Sequence, residues 1–536
     1  MIRQGLLLLL GSLLLLASTT TVLASRLPGT PYPVPSQGLN CSHNQAMVIY
    51  DRATILANGG PEDTLALAAL AGWYARDCPL MLEEYEHQSA VVLYTNVSNL
   101  NEVNLAISMV ASHDAALLLS ARQWKLYGEQ LNATVVANAT GLDPVTIWEA
   151  QPKAWSSRIF VVADSPYLAD YAVFARAFFM YADPVADPTG SMTHLFYRIT
   201  RTLQPQSAIL GWMPGGVPRE LLFVTAAAQN ASWVHCADGA VNQASLTGFD
   251  LPQYKQWPGQ NQTALRPKVA PASTLHPSDG AAIHTVTLLW TDGDNTGGYD
   301  QQTLIDDNHF NAPGRGHAPM GWTVSPALAE LYPALLLELY RNATPNDEFV
   351  AGPSGLGYTY PDELRDSATF INLTSAVMNK TDMHTLNLIS GNPIETVVRF
   401  QEIAEPYARD PQVDGVYYYN YFSYDELIGA TAVASDGTPI VGARMWTCNH
   451  ATLEDCLFSC GPGCLPITAI PDFVDKLQRN ASSVHGYSLI ALDAWSNTVS
   501  AVNTLVDSLH ALDGVEVVLP SEFNRRLRAV LANGHA

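Results

Sequence analysis

Two aspartates separated by one glycine follow the first apolar run in the C-terminal half of the chain. The run His284–Trp290 is rich in β-branched and aromatic residues, and Thr291, Asp292, Gly293 and Asp294 come directly after it. Paired carboxyl groups suit general acid/base catalysis, a nucleophile with its helper, or binding of a hard cation. An Asx-type turn, in which the acids cap backbone N–H groups, explains the same residues without any chemistry.

A segment rich in glycine and tyrosine follows the next apolar run, Glu348–Gly352, and reads Gly355-Leu-Gly-Tyr-Thr-Tyr-Pro361. Glycines allow the backbone to approach a ligand closely, which makes Gly355 and Gly357 candidates for substrate contact. Tyr358 and Tyr360 could stack on a sugar ring and hydrogen-bond its hydroxyl groups. A tight turn with packed tyrosines is the alternative.

This segment matches the GxGYxYP signature letter for letter, and the chain resembles the GxGYxYP family, whose glycoside hydrolase activity is itself inferred. Other blocks are also similar to that family: Gly321-Trp322 with Ser325-Pro326, residues 342–352, residues 290–295, residues 414–418 and residues 439–444. The resemblance implies an N-terminal α/β region, a barrel-like catalytic domain and a carbohydrate substrate. Where the family has an acid or its amide this chain has Asn420, so the second carboxylate is expected at Asp425 or Glu426.

Glycoside cleavage normally requires two carboxyl groups that flank the scissile bond. The catalytic candidates are therefore Asp292, Asp294, Asp425 and Glu426. Substrate contact is predicted for the glycines and tyrosines of the signature and for Asn295, Trp322, Arg444, Asp493 and Trp495. Core packing of the aromatic residues, and capping or ion pairing of the charged ones, remain the alternatives.

Apolar runs alternate with helical patterns after residue 280, which predicts parallel strand pairing. The runs are His284–Trp290, Glu348–Gly352, Thr385–Ser390, Gly415–Tyr421, Ile440–Trp446, Tyr487–Trp495 and Val515–Leu519. The helical patterns are Ala327–Asn342, Leu364–Asn379, Ile394–Ala408, Asp472–Asn480, Asn497–Leu512 and Glu522–Leu531. This alternation predicts a (β/α) TIM-like barrel, seven-stranded or irregular, with its site at the carboxyl ends of the strands. An open doubly wound sheet is the competing architecture.

The chain is expected to divide into four parts. Residues 1–24 show the pattern of a secretory signal peptide, residues 25–251 form an N-terminal α/β region, residues 252–280 a linker, and residues 281–536 the barrel-like domain. The N-terminal region contains neither a phosphate loop nor a dinucleotide fingerprint, so no cofactor is predicted. No stretch after the signal is long and apolar enough to span a membrane.

Composition and sequons favour a glycoprotein of the secretory pathway, either secreted or endolysosomal. The chain has 50 acidic and 27 basic residues, a formal charge of −23, which argues against a partner with a phosphate backbone. Ten Asn-X-Ser/Thr sequons predict glycosylation in surface loops. They are at Asn40, Asn96, Asn132, Asn138, Asn230, Asn261, Asn342, Asn372, Asn379 and Asn480.

Four of the seven cysteines lie within a short segment: Cys448, Cys456, Cys460 and Cys464. In a secreted chain this clustering predicts a local two-disulfide staple. A zinc site that includes His450 is the alternative, although the segment lacks paired Cys-x-x-Cys hooks.

Three functions remain open from the sequence. The first is a secreted glycoside hydrolase that uses paired carboxyl groups. The second is a metal-dependent carbohydrate deacetylase on a related barrel. This chain lacks the closely spaced histidine pair that such a metal site usually has. The third is a carbohydrate-binding glycoprotein without catalysis.

Overall fold

A computed structural model describes residues 68, 90–94, 99–113, 117–127, 134–237, 240, 243–247, 282–296, 307–391, 396–420, 428–460 and 464–532. The predicted signal peptide, the linker 252–280, and Asp425 and Glu426 lie outside the described residues, as do Asn40, Asn96, Asn132 and Asn261. No helix in the described ranges is long and apolar enough to cross a membrane.

The first sheet is small and parallel, with the order β2-β1-β3. Its strands are β1 Ala90–Tyr94, β2 Leu117–Ser120 and β3 Thr134–Asn138. The helices are α1 Leu100–Ser112, α2 Ala121–Tyr127 and α3 Pro144–Ala150. Helix α3 begins at Pro144 because the Asp143 carboxylate accepts hydrogen bonds from Val145 and Thr146 N–H groups.

The second sheet is also parallel and has the order β5-β4-β6-β7. Its strands are β4 Ile159–Val162, β5 Phe178–Met180, β6 Ser207–Gly211 and β7 Ser232–His235, all fully buried. Helices α4 Ala169–Ala175, α5 Ser191–Thr202 and α6 Val217–Gln229 connect them. We call β4–β7 with α4–α6 the middle unit.

The third and largest sheet has the order β13-β14-β12-β11-β10-β9-β8-β17-β15-β16, and β18 pairs with β8. All described pairs are parallel except β13 with β14. The strands are β8 His284–Trp290, β9 Met320–Val324, β10 Asp347–Ala351, β11 Thr385–Ser390, β12 Gly415–Asn420, β13 Thr431–Val433, β14 Pro439–Gly442, β15 Met445–Cys448, β16 Cys464–Pro466, β17 Tyr487–Leu492 and β18 Val515–Val518.

Helices follow most of these strands. They are α7 Leu328–Leu331, α8 Pro333–Asn342, α9 Ser367–Thr381, α10 Val397–Ala408, α11 Leu453–Cys460, α12 Ile470–Asp475, α13 Val499–His510 and α14 Pro520–Ala532. The single helix predicted over Ala327–Asn342 is therefore wrong. It is interrupted at Tyr332 because Pro333 has no N–H to continue the first helix and instead begins the second.

The large sheet curls strongly at two consecutive residues. Ala443 N–H donates to the Tyr418 carbonyl, and Arg444 N–H donates to the Leu489 carbonyl, both at 2.8 Å. Tyr418 lies in β12 and Leu489 in β17, so one short stretch of chain bonds to both arms of the sheet. The predicted run Ile440–Trp446 is divided into β14 and β15 at this point.

The α/β class is confirmed, whereas a TIM barrel is not. In the described part of the chain the sheet is a large, curled, half-barrel-like sheet that ends in the short strands β13 and β16. Strand β9 is not among the predicted runs. Its sequence, Met-Gly-Trp-Thr-Val, is interrupted by a glycine and a threonine and so does not form a continuous apolar run.

Helix α14 lies across the amino ends of the strands. Ser521 N–H donates to Glu348 Oε2 at 3.1 Å, and Asn524 Nδ2 donates to Thr385 Oγ1 at 3.0 Å. Glu348 and Thr385 stand at the beginnings of β10 and β11. Since this helix covers the amino end, the carboxyl ends of the strands are where a site can open.

Candidate functional site

The loop after β8 turns at once instead of continuing as a strand. Asp292 has a φ of 63°, and Asn295 N–H donates to the Asp292 carbonyl at 3.1 Å. Gly293 lies so close to β9 that a Cβ there would be 1.8 Å from the Thr323 carbonyl oxygen, which only glycine avoids. Asp292 and Asp294 therefore do not share a strand face, and they enter different environments.

Asp292 is half-buried at the carboxyl end of the sheet. Its carboxylate accepts hydrogen bonds from the Thr291 hydroxyl and, at 3.2 Å, from the Trp495 indole N–H. Burial raises the pKa of Asp292 to about 6, and the charge of nearby Asp493 adds to this effect. Asp292 is therefore ionised only above mildly acidic pH.

Asp294 is buried against the middle unit. Burial raises the pKa of its carboxyl group to about 8, and the charges of Asp292 and Glu220 contribute. A hydrogen bond from the Cys236 thiol and the residue's own backbone N–H oppose this rise in pKa. Asp294 therefore keeps its proton at neutral pH while Asp292 loses it.

Asp493 and Trp495 follow the neighbouring strand β17. Leu492 pairs with Trp290, which puts the loops after β17 and β8 side by side. Asp493 is buried and accepts a hydrogen bond from the Ser496 hydroxyl. Trp495 has 56% of its surface exposed, so its ring is open to a ligand.

Trp322 does not lie at this site. Its ring is buried, with its centroid 4.8 Å from that of Trp290, and its indole N–H donates to Asp347 Oδ1 at 2.8 Å. Phe310 packs edge-on against it. Substrate contact by Trp322 is therefore not supported, because the packed ring is not accessible to a sugar.

The signature segment joins the large sheet to the middle unit. Tyr358 and Val234 exchange two backbone hydrogen bonds of 2.8 and 2.9 Å, which form an antiparallel bridge to β7. A Cβ on Gly357 would be 2.0 Å from the Trp233 ring. The glycine is thus required for close approach to another part of the protein, not to a ligand.

The two signature tyrosines are buried as well. The Tyr358 hydroxyl donates to Glu220 Oε1 at 2.6 Å, and its ring stacks on Trp212 with a centroid distance of 6.3 Å. Tyr360 is fully buried against Gly391. The prediction of direct substrate contact by Gly355, Gly357, Tyr358 and Tyr360 is corrected, since these residues pack inside the protein.

Of the two remaining candidates, Arg444 lies away from the carboxyl groups, whereas Asn295 directly follows Asp294 in the chain. Arg444 is half-buried at the amino end of β15, where its guanidinium donates to the Tyr487 carbonyl at 3.3 Å. This position is at the opposite end of the strands from Asp292, so contact with a substrate there is not supported. Asn295 is buried in the loop after β8, and its N–H donates to the Asp292 carbonyl.

Sequence reasoning missed the contributions of the middle unit. Cys236 follows His235, the last residue of β7, and Glu220 lies in α6. Thr296 N–H donates to the Cys236 carbonyl at 2.8 Å, and the Thr296 hydroxyl contacts His235 Nε2. Burial lowers the pKa of His235 to about 3, so this ring is neutral. No local pattern identifies these residues, because the contact spans 61 positions of sequence.

Cysteines form the only metal-type cluster among the described residues: Cys448, Cys456 and Cys464. Cys448 and Cys456 are paired as a disulfide with a Cα–Cα distance of 5.6 Å, and Cys464 is also disulfide-bonded. This pairing agrees with a local staple and removes the thiolates that zinc would need. The side chain of Cys460 lies outside the described part.

Six predicted glycosylation sites can be located. Asn138, Asn342, Asn372 and Asn379 are exposed, while Asn230 and Asn480 are half-buried. Exposure at the first four is compatible with attachment of a glycan.

Two family models match the chain. The model described as "GxGYxYP putative glycoside hydrolase C-terminal domain" matches residues 282–528, and that described as "GxGYxYP third domain" matches residues 157–248. Together they span more than half of the sequence. The large curled sheet and the middle unit correspond to these two matches.

A solved structure has a similar fold. It is described as "a putative hydrolase from Bacteroides thetaiotaomicron VPI-5482" and aligns with a TM-score of 0.69 and 20% identity, covering 87% of this chain and 83% of that chain. A likeness at this identity concerns the fold alone. No curated protein matches the chain.

Proposed function

The chain belongs to the GxGYxYP family, and from this premise we propose that it is a glycoside hydrolase whose chemistry is carried by Asp292 and Asp294. One observation carries the proposal. Two carboxyl groups of a single turn, at the carboxyl end of a strand, have pKa values of about 6 and about 8. Between these values one group is ionised while the other keeps its proton, the combination that glycoside cleavage needs.

Asp294 is assigned the role of general acid. Its proton passes to the glycosidic oxygen as the bond between that oxygen and the anomeric carbon breaks, so the leaving sugar departs as a neutral alcohol. The Cys236 thiol donates to the same carboxyl group and thereby stabilises the aspartate that remains. The water consumed in the hydrolysis adds its oxygen to the anomeric carbon, and the proton it releases returns the group to its acid form.

Asp292 is assigned the role of the ionised carboxylate. It either attacks the anomeric carbon or removes a proton from the water that does so. The Thr291 hydroxyl and the Trp495 indole donate hydrogen bonds to its oxygens, which fixes their direction. Asp493 adds negative charge beside the developing oxocarbenium ion and so favours the transition state.

Trp495 is assigned as a platform for the substrate. Its exposed ring lies next to Asp292, to which its N–H is bonded, so a sugar stacked on the ring has its bonds close to the carboxylate. We also propose a secreted or endolysosomal location. The sequons and the clustered cysteines support it.

The purified full chain, incubated with a panel of aryl glycosides and oligosaccharides from mildly acidic to mildly alkaline pH, tests this function. Turnover on at least one glycoside is expected, with a loss of about 100-fold or more in Asp292→Asn. Asp475→Asn, a change of an exposed aspartate in α12, is the matched control and should behave like the parent. Sugar binding without turnover in the parent would instead support a carbohydrate-binding protein and contradict the proposal.

A further inference from the structure

The turn that carries Trp495 is held from two sides. On the side of β8, the Ala494 N–H donates to the Thr291 hydroxyl at 3.3 Å. On the side of β15, the Asp493 N–H donates to the Thr447 carbonyl at 2.9 Å. The turn is therefore bonded to the ends of both strands that flank β17.

The side chain of Asn497 closes this turn. It is buried, and its amide nitrogen donates to the Thr447 carbonyl at 2.7 Å and to the Asp493 carbonyl at 2.9 Å. The Asn497 backbone N–H donates to the same Asp493 carbonyl at 3.1 Å. Both partners of the side chain are carbonyl oxygens, which only accept, so the group that faces them must be a donor. One amide group thus joins the turn to β15.

Ser496 makes a second bond to the same strand end. Its hydroxyl oxygen accepts a hydrogen bond of 3.4 Å from the Asn449 N–H and donates to the Asp493 carboxylate. Ser496 directly follows Trp495, and Asn449 directly follows β15. Residues on both sides of Trp495 are therefore fastened to the end of β15.

That strand end is itself held by a disulfide. Cys448 stands between Thr447 and Asn449, the two residues that bond to the turn, and is paired with Cys456 of α11. The Thr447 hydroxyl also donates to the Leu465 carbonyl of β16 at 2.9 Å. Because the disulfide is formed by the residue between the two anchoring positions, it limits how far either of them can move.

Trp495 depends on this support because it is largely exposed. With 56% of its surface open to solvent, its ring receives little of its position from packing, and the backbone of the turn decides where the ring lies. Its indole N–H reaches Asp292 Oδ1 at 3.2 Å only while the turn keeps this place. A shift of the turn would therefore separate the ring from the carboxylate.

We propose that Asn497 is a positioning residue, which fastens the Trp495 turn to the disulfide-bonded end of β15 and so makes substrate binding depend on the Cys448–Cys456 disulfide. This inference rests on the proposed function, in which Trp495 is the platform for the sugar. It gives the clustered cysteines a role at the site, and neither Asn497 nor Cys448 needs to touch the substrate.

Three variants remove the support at different points. Asn497→Asp replaces the donor by a carboxylate oxygen and sets it against two carbonyl oxygens, so the turn should move away from β15. Ser496→Ala removes a half-buried hydroxyl with little loss of packing and should have a smaller effect. Replacing Cys448 and Cys456 together by alanine releases the strand end.

Asn346→Asp is the matched control. The Asn346 side-chain amide also donates to a backbone carbonyl, that of Gly316, at 2.8 Å. It directly precedes β10 and therefore lies at the amino ends of the strands, away from Trp495.

The experiment is fluorine NMR of the full chain labelled with fluorotryptophan, with the Trp495 signal assigned by its loss in Trp495→Phe. This signal should move or broaden in Asn497→Asp, in Ser496→Ala and in the double cysteine variant, and should keep its parental position in Asn346→Asp. An unchanged signal in Asn497→Asp and Ser496→Ala, in variants that melt like the parent, would overturn the inference. An unchanged signal in the double cysteine variant would overturn the dependence on the disulfide.

Kinetics provide the second readout. On a glycoside that the parent hydrolyses, KM should rise several-fold in Asn497→Asp and in the double cysteine variant, and should stay at the parental value in Asn346→Asp. Partial unfolding would instead lower the apparent kcat and leave KM unchanged, which would overturn the link to substrate binding. A displaced Trp495 signal in variants of a parent that hydrolyses no glycoside would support the positioning role of Asn497 and contradict the proposed function.

Discussion

The indole N–H of Trp495 donates to Asp292 Oδ1 over 3.2 Å, a contact between the loops that follow two neighbouring strands of the curled sheet. It ties the exposed aromatic ring of the site to its more accessible carboxylate. The same bond orients Asp292, and more than half of the surface of Trp495 stays exposed to solvent. The proposed function thus assigns sugar binding and orientation of the reactive group to one pair of residues.

Trp495→Ala should weaken substrate binding without unfolding the protein. The ring is 56% exposed, so little buried surface is lost, whereas the stacking platform disappears. We expect KM to rise about 10-fold or more, because about 1.4 kcal/mol of lost contact corresponds to about a factor of ten. Steady-state kinetics and a thermal melt measure the two effects.

Trp322 serves as the contrast because its ring is buried. Trp322→Phe should lower the melting temperature through the lost packing and the lost bond to Asp347, with KM unchanged. A KM change in Trp322→Phe larger than that in Trp495→Ala would contradict the assignment of Trp495 as the platform.

The Asp294 carboxyl group makes stability depend on pH. Its pKa rises from an ordinary 3.8 to about 8 on folding, so between these values the folded chain holds a proton that the unfolded chain has released. The stability that this group contributes is fully present below pH 3.8 and is lost as pH rises through about 8. Because a pKa difference of one pH unit corresponds to about 1.4 kcal/mol, the loss amounts to several kcal/mol.

Asp294→Asn should therefore be more stable than the parent at mildly alkaline pH, and the difference should shrink as the pH falls towards the ordinary pKa of an aspartate. Denaturation curves at several pH values measure this. Asp292→Asn is the comparison. Its stability difference from the parent should stop growing above about pH 6, because the pKa of Asp292 is raised only to about that value. Equal pH dependence in the parent and in Asp294→Asn would show that Asp294 does not titrate in this range.

Two substitutions of Cys236 should act in opposite directions. Cys236→Ser replaces a weak donor by a stronger one, stabilises ionised Asp294 and should move the alkaline limb of activity to lower pH. Cys236→Ala removes the donor and should move the limb to higher pH. The pH profiles of kcat/KM for the two variants, measured side by side, check the signs. Movement of the limb in the same direction in both would exclude a hydrogen bond to Asp294 as the cause.

Gly357→Ala should loosen the junction between the large sheet and the middle unit. Its Cβ would overlap the Trp233 ring, and overpacking of this kind costs about 1–3 kcal/mol. The melting temperature and the glycosidase rate should both fall. In a Trp233→Phe background the smaller ring leaves room, so the added cost of Gly357→Ala should be reduced. An equal cost in both backgrounds would contradict the packing explanation.

Strand periodicity made part of the site predictable. Asp292, Asp294, Asp493 and Trp495 all lie at or just beyond the ends of apolar runs, and parallel pairing of β8 with β17 brings those run ends together. That these residues lie at one end of the sheet could therefore be derived without knowledge of the sheet order. The split of one predicted strand at Ala443 could not, because it results from the curl of the whole sheet.

The packing of the signature segment could not be predicted from the sequence. A glycine next to a tyrosine suits close approach to a ligand or to the chain itself, and the sequence contains nothing that separates the two. Gly357 lies against the Trp233 ring, and Trp233 lies far earlier in the chain. Glu220 and Cys236 could not be predicted either, because they are similarly far from the candidate carboxyl groups in the sequence and belong to no motif.

Dependence on the leaving group tests the central assignment most directly. Rates of Asp294→Asn and the parent are compared on an oligosaccharide and on an aryl glycoside of the same sugar whose phenol leaves without a proton. The account predicts a loss of about 100-fold or more on the oligosaccharide and near-parental bond cleavage on the aryl glycoside. An equal loss on both substrates, or none on either, would contradict the role of Asp294 as the general acid.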